Sequence, residues 1–306
     1  MQIQNEVPVG KFTWLNAKIY SNGGGKIMKL YLPENEDELR ETVVRLKTEG
    51  YPIFVFGHTS NCYFLPSFNA KAVVSTRLLS HYEILENRVV CQPGASIKKI
   101  ARELTYNGFK GYSGMIDLPG TVAAAVVNNA GCYGCEAKDI VESVKVMNTD
   151  GFIQIFENKD LGFQRRSSIF KRKEMDGIIL SVTLKKEVGD KIQLIKHAEQ
   201  CQLERKINQP APSNNLGSCF MSGKKTMRLR IMERIVRDCG RLFCLNRAQT
   251  FRLLLCLLGQ KKMIPYLYNF NRFMFIDENA HVMFNEYVSF YRKIYKDANL
   301  ELQIFK

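Results

Sequence analysis

The chain has 306 residues, 45% hydrophobic and 24% charged, a composition that excludes disordered and collagen-like classes and supports a buried core in roughly two or three domains. Apolar runs such as Leu253–Leu258 stop at six residues, against the roughly 20 a bilayer span requires, so no membrane helix is expected. Net charge is +14, and residues 202–306 carry +10 of it (18 Lys and Arg against 8 Asp and Glu); an anionic partner is expected, although sign alone does not choose between nucleic acid, a phosphorylated nucleotide and a carboxylate.

Met1–Gly10 has neither a basic n-region nor an apolar h-region, so a cytosolic protein is expected. Asn35, followed three residues later by Glu38, starts a near capping box, and Leu39, Val43 and Leu46 recur at helical spacing, which predicts a helix over about 36–49. The apolar run Pro52–Phe56 predicts a fully buried strand, and Gly57-His58-Thr59-Ser60-Asn61 a loop leaving its end. A second unit repeats this logic: a strand over Val89–Gln92, a Pro93-Gly94 turn, and a helix capped by Ser96 and closed by Gly108.

Residues 118–134 are almost all small. That composition suits close approach of backbone to a ligand, and equally a tightly packed buried helix. Strands are expected over Val141–Met147, Phe152–Phe156 and Ile178–Leu184, with a charged boundary near Lys185–Lys191. Beyond Ile192 the chain turns helical and basic. Ile231, Met232, Ile235, Val236 and Cys239 are predicted on one helix face, with Arg230, Arg234 and Arg237 on another, and Thr250–Tyr268 is expected to be a helical core element.

Nine cysteines, an odd number spread over the chain, favour reduced thiols over a disulfide framework. Cys132 and Cys135 form one CxxC, but no second pair or paired histidines complete a zinc set, so no metal is expected.

Pro119-Gly120-Thr121-Val122, followed by Asn129-Ala130-Gly131 and Tyr133-Gly134, resembles the PGTVGG…NAGAYGG signature of the UDP-N-acetylenolpyruvoylglucosamine reductases (MurB). Three further segments resemble that family in order: Val55–Asn61 its pyrophosphate loop, Arg166-Ser167-Ser168 its Tyr-Arg-Ser-Ser segment, and Gln209-Pro210 with Gly217-Ser218-Cys219-Phe220 its QP…AGS-aromatic segment. The resemblance is continuous over about 12–220 and weak over 240–297. It implies an α+β fold with a two-lobed FAD-binding region (1–66 and 67–195), a substrate-binding α/β domain (196–297) and a C-terminal segment (298–306) returning to the active site. It also implies non-covalent FAD, NADPH as reductant, a UDP-sugar enolpyruvate substrate, and a monomer that uses neither nucleic acid nor membrane.

The resemblance further implies which residues act. Phe56, Gly57, His58, Thr59, Ser60, Asn61, Pro119, Gly120, Thr121, Ala123, Ala124, Asn129, Ala130 and Gly131 would bind FAD; Ser218 would donate a proton and Arg166 would clamp the substrate carboxylate. A diphosphate needs convergent backbone N–H donors, and Gly57–Asn61 and Thr121–Ala125 are two small-residue segments suited to supply them. No GxGxxG opens a βαβ unit, so a Rossmann site is not expected. Several positions depart from the pattern: His58 and Thr59 replace loop glycines, Ala123 and Ala124 replace a glycine pair, Arg165 stands where tyrosine is usual, and Met221-Ser222-Gly223 replaces Lys-Asn-Pro. Leu300-Glu301-Leu302-Gln303-Ile304 resembles Leu-Glu-Pro-Glu-Val, which puts Gln303 at the catalytic glutamate position; Glu301 takes that role if the pairing slips by two residues. A FAD-binding paralogue with another substrate or impaired turnover is the alternative reading, and a nucleic-acid-binding module is the third.

Overall fold

The helix expected after Asn35 forms over Glu36–Thr48 in the computed structural model, which describes residues 1–8, 25–148, 150–210, 215–221, 223–274, 277 and 279–306. Asn35 Oδ1 accepts from the Glu38 N–H at 2.9 Å, and Leu39, Val43 and Leu46 point into the core. Ser222, one of the departures noted above, and Val9 and Gly10 of the N-terminal stretch lie outside the described residues.

The chain forms two compact units. Among the described residues, the first comprises 1–7, 26–60 and 69–209, and the second comprises 61–68 and 210–306. This grouping differs from the sequence partition in two places, because the helix Lys191–Asn208 belongs with the first unit and the stretch 61–68 with the second.

In the first unit a four-stranded sheet runs in the order Gln2–Pro8, Lys26–Leu32, Asn69–Ser75, Phe54–Phe56, its last three strands parallel. Phe54–Phe56 is thus an edge strand, and this corrects the expectation of full burial: Phe56 is buried while Phe54 and Val55 are only half-buried. A five-stranded antiparallel sheet follows, in the order Ile153–Glu157, Val141–Met147, Ile178–Lys185, Arg88–Cys91, Tyr82–Ile84. The helix Ile97–Tyr106, capped by Ser96 through the Lys99 N–H, packs Ile97, Ile100, Ala101 and Leu104 into the same core as Val89, Val144 and Val182.

The small-residue stretch 118–134 divides between the two readings left open for it. Val122–Asn128 is a short helix capped by Thr121, with Val122, Ala125 and Val126 buried. Asn129 then turns left-handed (φ 39°), and Gly131–Cys132 pairs with Cys135–Glu136 across Tyr133 (φ 51°) and Gly134 (φ 82°). Positive φ at both central residues is the geometry of a tight two-residue hairpin turn.

The second unit buries an aromatic core that includes Phe220, Phe273, Phe284, Tyr287 and Tyr291, with the Phe220 and Tyr291 rings stacked at 3.9 Å. Its helices are Met227–Leu242, Arg247–Leu257 and Ala280–Ile294. The expected apolar face of the first of these is corrected. Leu229, Val236 and Gly240 face inward, while Ile231 and Ile235 are 50% and 45% exposed. The cause is at Gly240, where a Cβ would stand 3.1 Å from Thr250 Oγ1, so the helix turns its glycine toward Arg247–Leu257. The core element expected over Thr250–Tyr268 breaks at Gly259 (φ 74°) into a 3₁₀ turn, Lys261–Tyr266, and a strand, Leu267–Asn269.

Candidate active site

Within the first unit the loop after Phe54–Phe56 meets the segment Pro119–Thr121. A Cβ at Gly57 would stand 2.4 Å from Thr121 Oγ1, one at Gly120 (φ 125°) would stand 3.3 Å from Ser60 Oγ, and Ser60 Oγ donates to Pro119 O at 3.4 Å. Thr59 is 5% exposed and left-handed (φ 51°), and its buried Oγ1 has no hydrogen-bond partner among the described residues. Burial, and then the cations Arg77 and Lys99, hold the His58 imidazole below its usual pKa. A glycine-lined cradle, an orphaned buried hydroxyl and two nearby cations fit an anionic dinucleotide.

The donors of that cradle differ from the expectation for Thr121–Ala125. The Val122 and Ala123 N–H groups donate to Ala95 O (2.9 Å) and Pro93 O (3.2 Å), and those of Ala124 and Ala125 donate to Thr121 Oγ1 (3.3 Å) and Thr121 O (2.9 Å). Ala123 and Ala124 therefore supply small size rather than N–H donors. Among the described residues, no acceptor engages the backbone N–H groups of Gly57, His58, Thr59 or Ser60.

Arg166 lies in the same unit, on a two-residue turn closed by reciprocal backbone bonds between Gln164 and Ser167 (3.0 and 3.1 Å), with its own φ at 55°. A non-glycine residue held left-handed stores strain that its surroundings must over-determine. Here they do. Arg166 Nη2 donates to Gly131 O at 2.6 Å and Nη1 to Asn129 O at 3.3 Å and Glu136 Oε1 at 3.4 Å. Asn129, fully buried, gives Nδ2 hydrogens to Glu136 Oε2 (3.1 Å) and Gln164 O (2.9 Å) and accepts from the Lys138 N–H (2.9 Å). Ala130 closes the segment by donating to Ala125 O and accepting from Ala137. Arg166, Gly131, Glu136 and Lys138 line a solvent-open cavity of about 460 Å³. Sequence reasoning missed Glu136; a carboxylate standing seven residues after Asn129 in an otherwise small, uncharged stretch was the available signal.

The second unit gathers the remaining expected residues. Asn61 Nδ2 donates to Leu216 O (2.7 Å) and Ser218 O (2.9 Å), while Asn61 O accepts from the Gln303 N–H (3.1 Å). Gln303–Phe305 pairs parallel with Cys62–Phe64, and the Glu301 and Leu302 N–H groups both donate to Cys219 O (2.9 and 3.2 Å). Ser218, Glu301 and Gln303 thus come to one loop cluster, with Leu302 buried between the last two. Burial pushes the Cys62 thiol up to about 12, and its Sγ lies 3.8 Å from Gln303 Oε1 as a donor.

Among the described residues no group of three or more His, Cys, Asp or Glu is placed to hold a metal ion, and no helix is long and apolar enough to cross a membrane. All nine cysteines are free thiols.

Residues 29–156, which hold the glycine-lined loop and the Asn129–Gly131 segment, match the family described as FAD binding domain. A UDP-N-acetylenolpyruvoylglucosamine reductase of Lactobacillus helveticus is 26% identical over 220 residues, which are 72% of this chain and 71% of the relative. One of Caldanaerobacter subterraneus subsp. tengcongensis is 31% identical over 197 residues, 64% of this chain and just under two thirds (65%) of the relative. The chain is thus similar to the MurB family over about two thirds of its length and carries a match to the FAD binding domain. The crystal structure of the MurB of Thermus caldophilus shares the fold over 100% of both chains, with a TM-score of 0.70 at 20% identity. The α+β architecture is therefore that of this crystal structure, and the matched FAD binding domain supports FAD as the cofactor. The 7-residue helix Val122–Asn128 and the left-handed Asn129 occupy the stretch by which the sequence resembled this family.

Proposed function

We propose that the protein reduces UDP-N-acetylglucosamine enolpyruvate to UDP-N-acetylmuramate, with NADPH as electron donor and non-covalent FAD as cofactor. The observation that carries this reading is Arg166, a left-handed arginine bound to the Asn129–Gly131 segment beside a cavity in the unit that holds the FAD cradle. When bound, FAD supplies the two-electron chemistry between the nicotinamide and the vinyl ether.

The chain's own residues bind, orient and move protons. The backbone N–H groups of Gly57–Ser60 and the Thr59 hydroxyl bind the dinucleotide, with Arg77 and Lys99 adding favourable potential. Arg166 holds the substrate carboxylate, onto which negative charge spreads as the double bond is reduced; a fixed guanidinium stabilises that charge more in the transition state than in the ground state. Ser218 Oγ gives its proton to the carbon that becomes carbanionic, a transfer that an ordinary hydroxyl sustains because the acceptor is strongly basic and held next to it. The Gln303 amide, its oxygen turned to the Cys62 thiol, presents its N–H₂ end as a hydrogen-bond donor to the developing enolate. Glu301, two residues before the strand that Gln303 opens, is the carboxyl group of this cluster.

On this reading the partners are small molecules rather than nucleic acid or membrane, and the protein acts as a cytosolic monomer. Gln303 favours a second reading, a FAD-binding paralogue that serves another acceptor, because glutamine donates a hydrogen bond but no proton. Whether the enolpyruvyl nucleotide reoxidises flavin that NADPH has reduced tests one reading against the other.

A further inference from the structure

We propose that Glu136 is the positioning residue of Arg166, and that it splits substrate binding from catalysis: it orients the guanidinium while its charge weakens ground-state capture of an anionic substrate. This rests on the reading in which Arg166 meets the substrate carboxylate.

The geometry is a bridge. Glu136 Oε1 holds Arg166 Nη1 at 3.4 Å, and Oε2 holds both Asn129 Nδ2 (3.1 Å) and Lys138 Nζ (3.4 Å). Glu136 is itself fixed, since it caps the turn Ala137–Ile140 and its N–H donates to Asp139 Oδ2 at 3.0 Å. The two carbonyl oxygens that also receive the guanidinium, Asn129 O and Gly131 O, belong to the segment that Asn129 anchors, so one carboxylate holds both the cation and its seat. Arg166 and Glu136 side chains are only 21% and 26% exposed, so their attraction is less screened than that of a surface pair.

Two consequences of opposite sign follow. Loss of the bridge lets the guanidinium leave its seat, and a misplacement of about 1 Å can cost on the order of 100-fold in rate. Loss of the negative charge alone removes a competitor for the cation, which tightens binding of an anionic substrate. A residue that merely supported folding would produce neither split.

The test compares Glu136→Ala and Glu136→Gln in FAD-loaded protein, reading the reoxidation of NADPH-reduced flavin by the enolpyruvyl nucleotide. Glu136→Ala should lower kcat by about 10- to 100-fold without raising KM. Glu136→Gln keeps one acceptor oxygen, which can face Arg166 Nη1 while its amide NH₂ stands at the Asn129 side, so kcat should fall less than in Glu136→Ala while KM falls. An unchanged kcat in Glu136→Ala, or a raised KM in Glu136→Gln, overturns the proposal. Should Glu136→Ala fail to fold, the KM of Glu136→Gln decides. If wild type itself does not deliver electrons to the enolpyruvyl nucleotide, the assigned activity fails separately. The pair is then read by thermal unfolding of Glu136→Ala, Arg166→Lys and the double variant: coupling between the two sites supports the bridge, and additivity overturns it.

Discussion

Gly57 lies so close to Thr121 that a Cβ at Gly57 would stand 2.4 Å from the Thr121 hydroxyl and 2.9 Å from its methyl group. Both contacts are to the side chain that caps Val122–Asn128, so Thr121 cannot rotate away without giving up the Ala124 N–H. Gly57→Ala should therefore destabilise the apoprotein by about 1–3 kcal/mol, the usual range for overpacking, and weaken FAD retention. Thermal unfolding with and without added FAD checks this. Unchanged stability and flavin content would mean that the loop and Thr121 separate at no cost.

Thr59 is a β-branched residue held at φ 51° with a buried hydroxyl lacking a partner. Thr59→Gly removes the strain and the unsatisfied group together, and should stabilise the apoprotein by about 1 kcal/mol. At the size of this chain that corresponds to a Tm roughly 1–2 °C higher. A lower Tm would show that the methyl group's packing outweighs the strain.

How much of this was legible in the sequence depends on the range of the interaction. Caps are local: Asn35, Ser96 and the hydrophobic positions three and four residues on were read correctly because every partner lies within one helical turn. Ile231 and Ile235 were assigned inward on periodicity alone, but the buried stripe is set by a glycine against another helix, and a hydropathy pattern does not register such a contact. The resemblance to MurB named Arg166 but not the carboxylate that holds it, since Glu136 and Arg166 are 30 residues apart. In the second unit the parallel pairing of Gln303 with Cys62 spans 241 residues and no local signal announces it.

His58 gives the apoprotein a pH dependence of definite sign. Burial, then Arg77 and Lys99, hold its folded pKa below the ordinary imidazole value, so between the folded and unfolded pKa the unfolded chain binds more protons. The contribution of His58 to stability is fully present above the unfolded pKa and is lost as pH falls through the folded pKa. Unfolding measured from neutral pH into the mildly acidic range should show this decline, and His58→Asn should flatten it. FAD loading should flatten it too, because a diphosphate on loop 57–60 favours the imidazolium. An equal slope in apo and loaded protein would place the diphosphate elsewhere.

Ser218 and Gln303 should act only after NADPH has done its part. Ser218→Ala should leave flavin reduction by NADPH nearly intact and slow reoxidation by the enolpyruvyl nucleotide about 100-fold or more. Gln303→Glu should accelerate reoxidation by restoring a proton-donating group, with Glu301→Gln nearly silent. The reverse order, with Glu301→Gln abolishing reoxidation, would make Glu301 the functional acid. Rapid-mixing absorbance of each half-reaction separates these outcomes.

The most direct measurement is an anaerobic titration of the purified yellow protein, first with NADPH and then with UDP-N-acetylglucosamine enolpyruvate, followed by the visible flavin absorbance and by product mass. The account predicts bleaching by one equivalent of NADPH, recovery of colour on addition of the enolpyruvyl nucleotide, and UDP-N-acetylmuramate in equal amount. Flavin that bleaches with NADPH and stays bleached in the presence of the enolpyruvyl nucleotide would contradict it.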